Sequence, residues 1–412
     1  MAERPAVWTS RLTTPGAGAF ALLFGLEAAG RALVTAALPI QSLRIMGSDE
    51  GVSLLFLLGS LASVSMAFLV PPVARWMGRA RLCSLAILLI GGATVLFMLQ
   101  DLPSQVIGFV LRASGVAILY AVLSMFIMDH IRRRELGRSE PLRMLSIGLA
   151  WTVGPVAGVQ IEALWGEWAP FAASGLAALL LLGCFWTLRF SDLPIVRRAP
   201  ESERPPESEP APKTRGARPA ARPFANLALF LRQPRLVLAW LHATGRGIFW
   251  ITFVVYTPLY ALEIGLGAAV GGTLVALGSA SMILMPLWGW AARRYGIRRV
   301  SLWAFPLAAL CSVAAFLLTA WPWVASGFLI AAAFAMSAID GYGNALFFRA
   351  CKPSQRAAMT PIFSAQRDLA AILQAGLFAV LLVFFPVQSV FLAMAVILIG
   401  QSWLALNINA RL

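Results

Sequence analysis

Apolar runs of 18 or more residues recur along nearly the whole chain, and this limits its fold more than any other feature. Inside hydrocarbon no water can bond a free N–H or C=O, so a spanning segment must satisfy its backbone internally. A helix of about 20 residues does so while crossing a core about 30 Å thick. A β-barrel would show short segments of alternating hydrophobicity instead. Only 12% of residues are charged and 59% are hydrophobic, with mean hydropathy +0.79, whereas a soluble domain carries roughly 25% charged residues. The expectation is an all-α membrane protein of 12 transmembrane helices.

The runs place the spans at 17–40, 51–71, 82–100, 104–128, 144–163, 170–189, 236–260, 266–288, 300–319, 324–347, 360–384 and 387–408. The first run is too long for a cleaved leader and reads as the first span. The net charge of +15 is spread over alternate loops rather than gathered on one soluble module, which argues against a nucleic-acid partner. Arg4 and Arg11, then Arg75, Arg79 and Arg81, then Arg132 to Arg143, then Arg293 to Arg299, then Arg349 to Arg356 fall on one side. The opposite loops carry Asp49, Glu50, Asp101, Glu162, Glu167 and Glu263, with Arg44 as the only base. The positive-inside rule therefore puts both termini in the cytoplasm. The arginine-rich, lysine-poor composition suggests a bacterial inner membrane. Trp165, Trp168, Trp321 and Trp323 fall at the outer boundaries, where amphipathic rings favour the headgroup level.

Residues 199–223 are rich in Pro, Glu and Arg with no apolar period, as a disordered linker is. The expected units are 1–190, a six-helix bundle, 191–233, a disordered cytoplasmic linker, and 234–412, a second six-helix bundle. The halves repeat. LEAAGR at 26–31 returns as LHATGR at 241–246, and PPVARWMGRARL at 71–82 returns as GWAARRYGIRRV at 289–300. Both copies start on the same side, so the repeat is parallel, with its axis along the membrane normal.

These stretches resemble the Major Facilitator Superfamily, and the resemblance covers everything but the linker. The loops at 71–82 and 289–300 resemble its G-x-x-x-D-R-x-G-R-R motif through Gly78, Arg79, Arg81, Gly289, Arg294, Gly296, Arg298 and Arg299. Arg75 and Arg293 stand where the motif has its acid, and Pro71 stands for its first glycine. The resemblance gives these loops a gating role. Asp129, at the inner end of span four, is a candidate carboxylate for Arg75. Arg112 and Gly115 in LRASG resemble the fourth-span element of proton-coupled members, which implies a part for Arg112 in proton coupling. Gly148, Gly154, Pro155 and Gly158 in GLAWTVGPVAG resemble the fifth-span motif of drug:proton antiporters. Glycines there let helices approach closely, and Pro155 removes a backbone hydrogen bond. A tightly packed, kinked helix explains the same residues.

Intramembrane charge needs a reason, since it costs about 2.5–3.5 kcal/mol at a helix centre. Glu27 and Arg31 are four apart and share one helix face, as do His242 and Arg246. One reading is a self-neutralising Glu27–Arg31 bridge. It leaves Arg246 without an acid on its own turn, so Arg246 needs Glu27, Asp340 or a ligand. The other reading sets Arg31 and Arg246 on opposite walls of a central cavity. There guanidinium forks would hold an anionic substrate, as in the superfamily's organophosphate antiporters, with His242 and Tyr342 beside them. Glu27 is the leading candidate for the coupling proton, and Asp340 is a second or a structural partner of Arg246. His242 could sense a proton, its ordinary pKa being about 6.5, or simply hydrogen-bond. Arg367 and Asp368 are a candidate inner-gate ion pair, and Tyr120 a candidate cavity residue.

The cysteines Cys83, Cys184, Cys311 and Cys351 have no metal-ligand or disulfide spacing. No catalytic set, cofactor motif or nucleotide-binding loop is visible, so neither an enzyme nor an ATP-driven pump is expected. The expected function is alternating-access, proton-coupled export of a small organic metabolite or drug, anionic substrates included, by a monomer in the bilayer. Organic-anion uptake or exchange is the alternative, and a non-transporting sensor or assembly factor is the reading from another class.

Overall fold

A computed structural model of the protein describes residues 17–130, 133–188, 223–352 and 355–408, among which there is helix and no strand. The N-terminal half comprises α1 (Ala17–Leu33), α2 (Ala37–Met46), α3 (Asp49–Met77), α4 (Arg79–Met98), α5 (Leu102–His130), α6 (Arg133–Trp165) and α7 (Ala169–Thr187). The C-terminal half comprises α8 (Pro223–Leu231), α9 (Pro234–Glu263), α10 (Ala268–Ala280), α11 (Met285–Tyr295), α12 (Ile297–Leu317), α13 (Pro322–Tyr342), α14 (Ala345–Ala350), α15 (Arg356–Ser364), α16 (Gln366–Phe384) and α17 (Ser389–Ala405).

Eleven segments are long and apolar enough to cross a bilayer, and the 17-residue α17 completes six in each half. Four spans are broken, the eleventh at Ala365 between α15 and α16. The first bends between α1 and α2, where Pro39, in the first turn of α2, has no N–H to continue the ladder, and Thr35 Oγ1 donates to the Arg31 carbonyl at 3.0 Å. The eighth passes from α10 to α11 through a 3-10 turn, Ser281–Leu284. The tenth breaks between α13 and α14 at Gly343. Within the segment expected as linker, 223–231 forms α8 instead. Its apolar run PFANLALFL supplies Phe230, which is buried in the C-terminal core.

Several spanning helices bury one side and leave the other exposed, whereas α9 is enclosed along most of its length. In α17, Val390, Phe391, Met394 and Leu398 are buried, while Val396, Ile399 and Trp403 are exposed. Trp165, Trp168, Trp321 and Trp323 are all exposed at one end of the bundle, which also carries Asp49, Glu162 and Glu263. We call this the acidic end, and the end bearing Arg79 and Arg293–Arg299 the basic end. Lipid tails are as apolar as leucine, so helices associate through close packing instead. α1 lies on α6 so closely that a Cβ on Gly154 would collide with Ala32 Cβ, and one on Gly158 with the Leu33 carbonyl oxygen.

The halves meet along α3–α16 and α6–α10, with α2 against α9. At the acidic end this seam is tight. Ser53 Oγ and Tyr256 OH, one from each half, are 2.6 Å apart and buried. A Cβ on Gly272 would stand 3.1 Å from the Pro155 carbonyl oxygen across the same seam. Arg44 reaches Glu162 and Glu167 within the N-terminal half.

Candidate functional site

Toward the basic end the seam encloses a cavity of about 430 Å³. The N-terminal half lines it with Ser63, Val116, Ala117, Tyr120 and Ala121, and the C-terminal half with Asn344, Phe363, Ser364, Gln366, Arg367 and Asp368. Asn344, Ser364 and Arg367 are exposed, so the cavity communicates with solvent. Consecutive helical residues diverge by about 100°, and Arg367 and Asp368 accordingly take separate partners across the seam. The Arg367 guanidinium lies 4.9 Å from the Tyr120 ring centroid, and Asp368 Oδ1 accepts from Ser63 Oγ at 3.5 Å.

Beside the cavity each half holds a cluster of buried charge. In the N-terminal half Arg31 Nη2 donates to Glu27 Oε2 at 2.9 Å, and Nε lies 2.6 Å from Oε1 as an ion-pair contact without hydrogen-bond geometry, with the two side chains 19% and 3% exposed. Its guanidinium sits 5.7 Å from the Trp151 ring centroid. Arg112, reaching in from α5, shares a narrow space with Glu27, Arg31, Gly30 and Ser174. Its Nη1 is buried with no hydrogen-bond partner among the described residues. This cluster thus has one acid and two bases. Val116, one turn along α5, borders both this space and the cavity.

In the C-terminal half Arg246 Nη1 meets Asp340 Oδ1 at 3.1 Å, and Trp250 Nε1 donates to Oδ2 at 2.7 Å. Both carboxylate oxygens are satisfied, so Asp340 is the acid that Arg246 lacks on its own helix. His242 Nε2 and Tyr342 OH are 2.5 Å apart, Ser301 Oγ is 2.9 Å from that hydroxyl, and Phe305 meets the imidazole edge-on at 4.8 Å. His242 and Tyr342 are therefore held inside the C-terminal bundle, not on the cavity wall, and His242 Nδ1 has no hydrogen-bond partner among the described residues. Arg246 and His242 border a narrow space whose other walls, Asn344 and Phe363, also line the cavity. Arg31 and Arg246 each pair with a carboxylate of their own half, in narrow spaces that adjoin the cavity through Val116 on one side and Asn344 and Phe363 on the other.

The repeated loops have the same backbone. Gly78 has φ 82°, ψ 152° and Gly296 φ 90°, ψ 144°, and their N–H groups donate to the Ala74 and Ala292 carbonyls at 3.2 and 3.0 Å. A positive φ of this kind suits glycine alone. Arg293 is exposed, and Gly289 packs against the Gly341 carbonyl of α13. The side chains of Arg75 and Asp129 lie outside the described residues, so their pairing is not defined. The sequence reading missed Ser53, Tyr256, Trp250 and Ser301. All four are polar or amphipathic residues within apolar spans, and that was the signal available.

A model of the Major Facilitator Superfamily matches residues 20–373, and the chain belongs to that superfamily of membrane transporters. Solved structures share the fold. A peptide transporter, POT, in complex with sulfate is 12% identical, covers 97% of this chain and 95% of its own, and superposes with a TM-score of 0.72. A bacterial homologue of the human lysosomal transporter Spinster, inward-facing and unoccupied, is 16% identical, covers 98% and 97%, and scores 0.69. The nucleoside transporter NupG is 12% identical, covers 95% and 98%, and scores 0.67. No curated protein matches the chain.

Proposed function

We propose that this transporter exports a small organic metabolite or drug, anionic by preference, in exchange for protons. The observation that carries the reading is the pair of arginine–carboxylate clusters, one per half, each sharing wall residues with the cavity between the halves. With the acidic end sealed and the basic end open, this state loads from the basic side, which the loop charges assign to the cytoplasm. A proton on Glu27 would weaken its hold on Arg31, and an anion in the cavity would compete for the same guanidinium. Either event biases the two access states only by its differential affinity for them. The spare charge of Arg112 keeps the N-terminal cluster net positive, which favours an anion over a cation. Arg367, already on the cavity wall, adds a cation that substrate could draw off Tyr120.

Reconstituted protein tests this. Imposed pH gradients should drive accumulation of a labelled organic anion, and Glu27→Gln should abolish that response while leaving counterflow. A normal gradient response in Glu27→Gln removes Glu27 as the proton carrier. The excess of cation also supports a second reading, organic-anion exchange without protons. Counterflow that is indifferent to pH gradients in the unaltered protein would select it.

A further inference from the structure

On the lipid-facing side of the C-terminal half, at the basic end, α11 and α12 diverge around a groove of about 420 Å³. Trp288, Trp290, Tyr295 and Trp303 wall it with Leu287 and Val300, and Arg299 stands at its mouth. Trp290, Tyr295 and Trp303 are exposed, as is Arg299. The rings are held in place. Trp288 donates its indole N–H to Ser337 Oγ at 2.8 Å and meets Trp303 at 5.6 Å, and Trp290 meets Tyr295 edge-on at 6.1 Å. So much fixed aromatic surface around an open volume is not needed to close the bundle, because these faces leave their volume unfilled.

The charge around the groove is of one sign. Between 289 and 300 the chain carries Arg293, Arg294, Arg298 and Arg299 and no acid. α12 begins there with no side-chain cap, since Gly296 has none to offer, so its first-turn N–H groups add to the positive potential. A groove with an apolar aromatic body and a cationic mouth, placed where a spanning helix leaves the hydrocarbon, matches an amphiphile with an anionic head. Aromatic rings sit at that level, and basic clusters at the cytoplasmic face attract anionic headgroups.

We propose that this groove is a binding site for one anionic phospholipid, its phosphate on Arg299 and an acyl chain along Trp288, Trp290 and Trp303. The site is not shared with the inter-half cavity, whose lining residues are all different. It also touches the transport machinery. Trp288 lies directly against Gly341, the neighbour of Asp340, so groove occupancy and the Arg246 pair act on adjacent residues of α13.

Native mass spectrometry of purified protein titrated with phosphatidylglycerol or phosphatidylcholine tests the site. Phosphatidylglycerol should bind more tightly, and Arg299→Gln should weaken its tightest site about fivefold, the worth of one basic residue near a membrane surface. Phosphatidylcholine, whose phosphate is offset by its own choline cation, should be weakened less. Trp303→Ala should weaken both lipids. Arg299 is exposed, so its substitution tests the site even if Trp303→Ala misfolds. Equal retention of phosphatidylglycerol by the unaltered protein and Arg299→Gln overturns the proposal. So does competition by glycerol phosphate as effective as by the lipid, which would mark a free-phosphate site. A dimer that forms in lipid-free detergent and is lost in Trp290→Ala would assign the groove to a second copy and overturn it equally.

Discussion

The two halves descend from one sequence pattern, yet they neutralise the same arginine differently. Arg31 takes its acid from one turn back on its own helix, whereas Arg246 has His242 at that place and reaches across to Asp340 on α13. The N-terminal cluster has a second buried cation, Arg112, whereas the C-terminal one adds a neutral donor, the Trp250 indole. One half is thus over-supplied with positive charge and rearrangeable within a helix. The other is balanced, its carboxylate fully hydrogen-bonded, and tied between two helices. A moving proton has most to change in the first, and a rigid frame is better served by the second.

Removing the acid from each half should give the largest contrast. Glu27→Gln leaves Arg31 and Arg112 buried together with no counter-charge, and is expected to cost about 3–5 kcal/mol of stability. Asp340→Asn strands one cation, Arg246, where Glu27→Gln strands two, and should cost about half as much. Thermal unfolding of the purified proteins in one detergent compares them. Equal losses would mean that Arg112 does not share in the balance around Glu27.

The converse removals should rank the other way. Arg246→Ala strands a carboxylate whose remaining partner is Trp250, at about 3 kcal/mol. Arg31→Ala leaves Glu27 beside Arg112, which can take over, and about 1 kcal/mol is expected from the lost hydrogen bond. The double variant Arg246→Ala/Asp340→Ala should recover much of the single loss, since no charge is left unpaired. If Arg31→Ala proves the more damaging, Arg112 is not an adequate substitute and the N-terminal cluster is the rigid one.

A third comparison separates packing from charge along α6. Gly158→Ala would force a Cβ into the Leu33 carbonyl, directly behind Arg31, and should cost about 1–3 kcal/mol as an overpacked contact. Gly148→Ala meets nothing within 4 Å and should be neutral or slightly stabilising, as an alanine in a helix is. Unfolding of the two variants side by side reads the difference, and equal effects would detach the glycine pattern from helix approach.

How far these features were legible depends on their range. Spans and their number follow from hydropathy, because the bilayer imposes length and the backbone imposes helix. The repeat was visible because four of six residues recur in register, and the packing role of Gly154 and Gly158 because only glycine admits that approach. The break after Arg31 was signalled by Pro39 but hidden by the unbroken apolar run around it. Partner choice was not legible. Asp340 was one of three candidates for Arg246, and only the rotation of α13 about its own axis selects it. His242 was placed beside substrate by its spacing to Arg246 and Tyr342 by its position in span ten, whereas α9 and α13 bring the two side chains together at 2.5 Å inside the C-terminal half. Helix 223–231 escaped notice because the proline- and charge-rich stretch before it sets the local average.

The smallest effect asked of the two halves is also the one in which they should agree. Gly78 and Gly296 hold nearly the same φ and ψ at the turn between the second and third span of each half. An L side chain at this φ and ψ, a region essentially reserved for glycine, is strained by about 1–3 kcal/mol. Gly296→Ala adds a Cβ that touches nothing within 4 Å, so the loss there is backbone strain alone. Gly78→Ala and Gly296→Ala should therefore lower stability by similar amounts, each about 1–3 kcal/mol, in paired unfolding measurements. Because the turn joins helices that must shift when access alternates, both should also slow counterflow more than they destabilise. A variant pair with unequal losses would mean that one turn has acquired contacts the other lacks, and with them a separate role in opening the basic end.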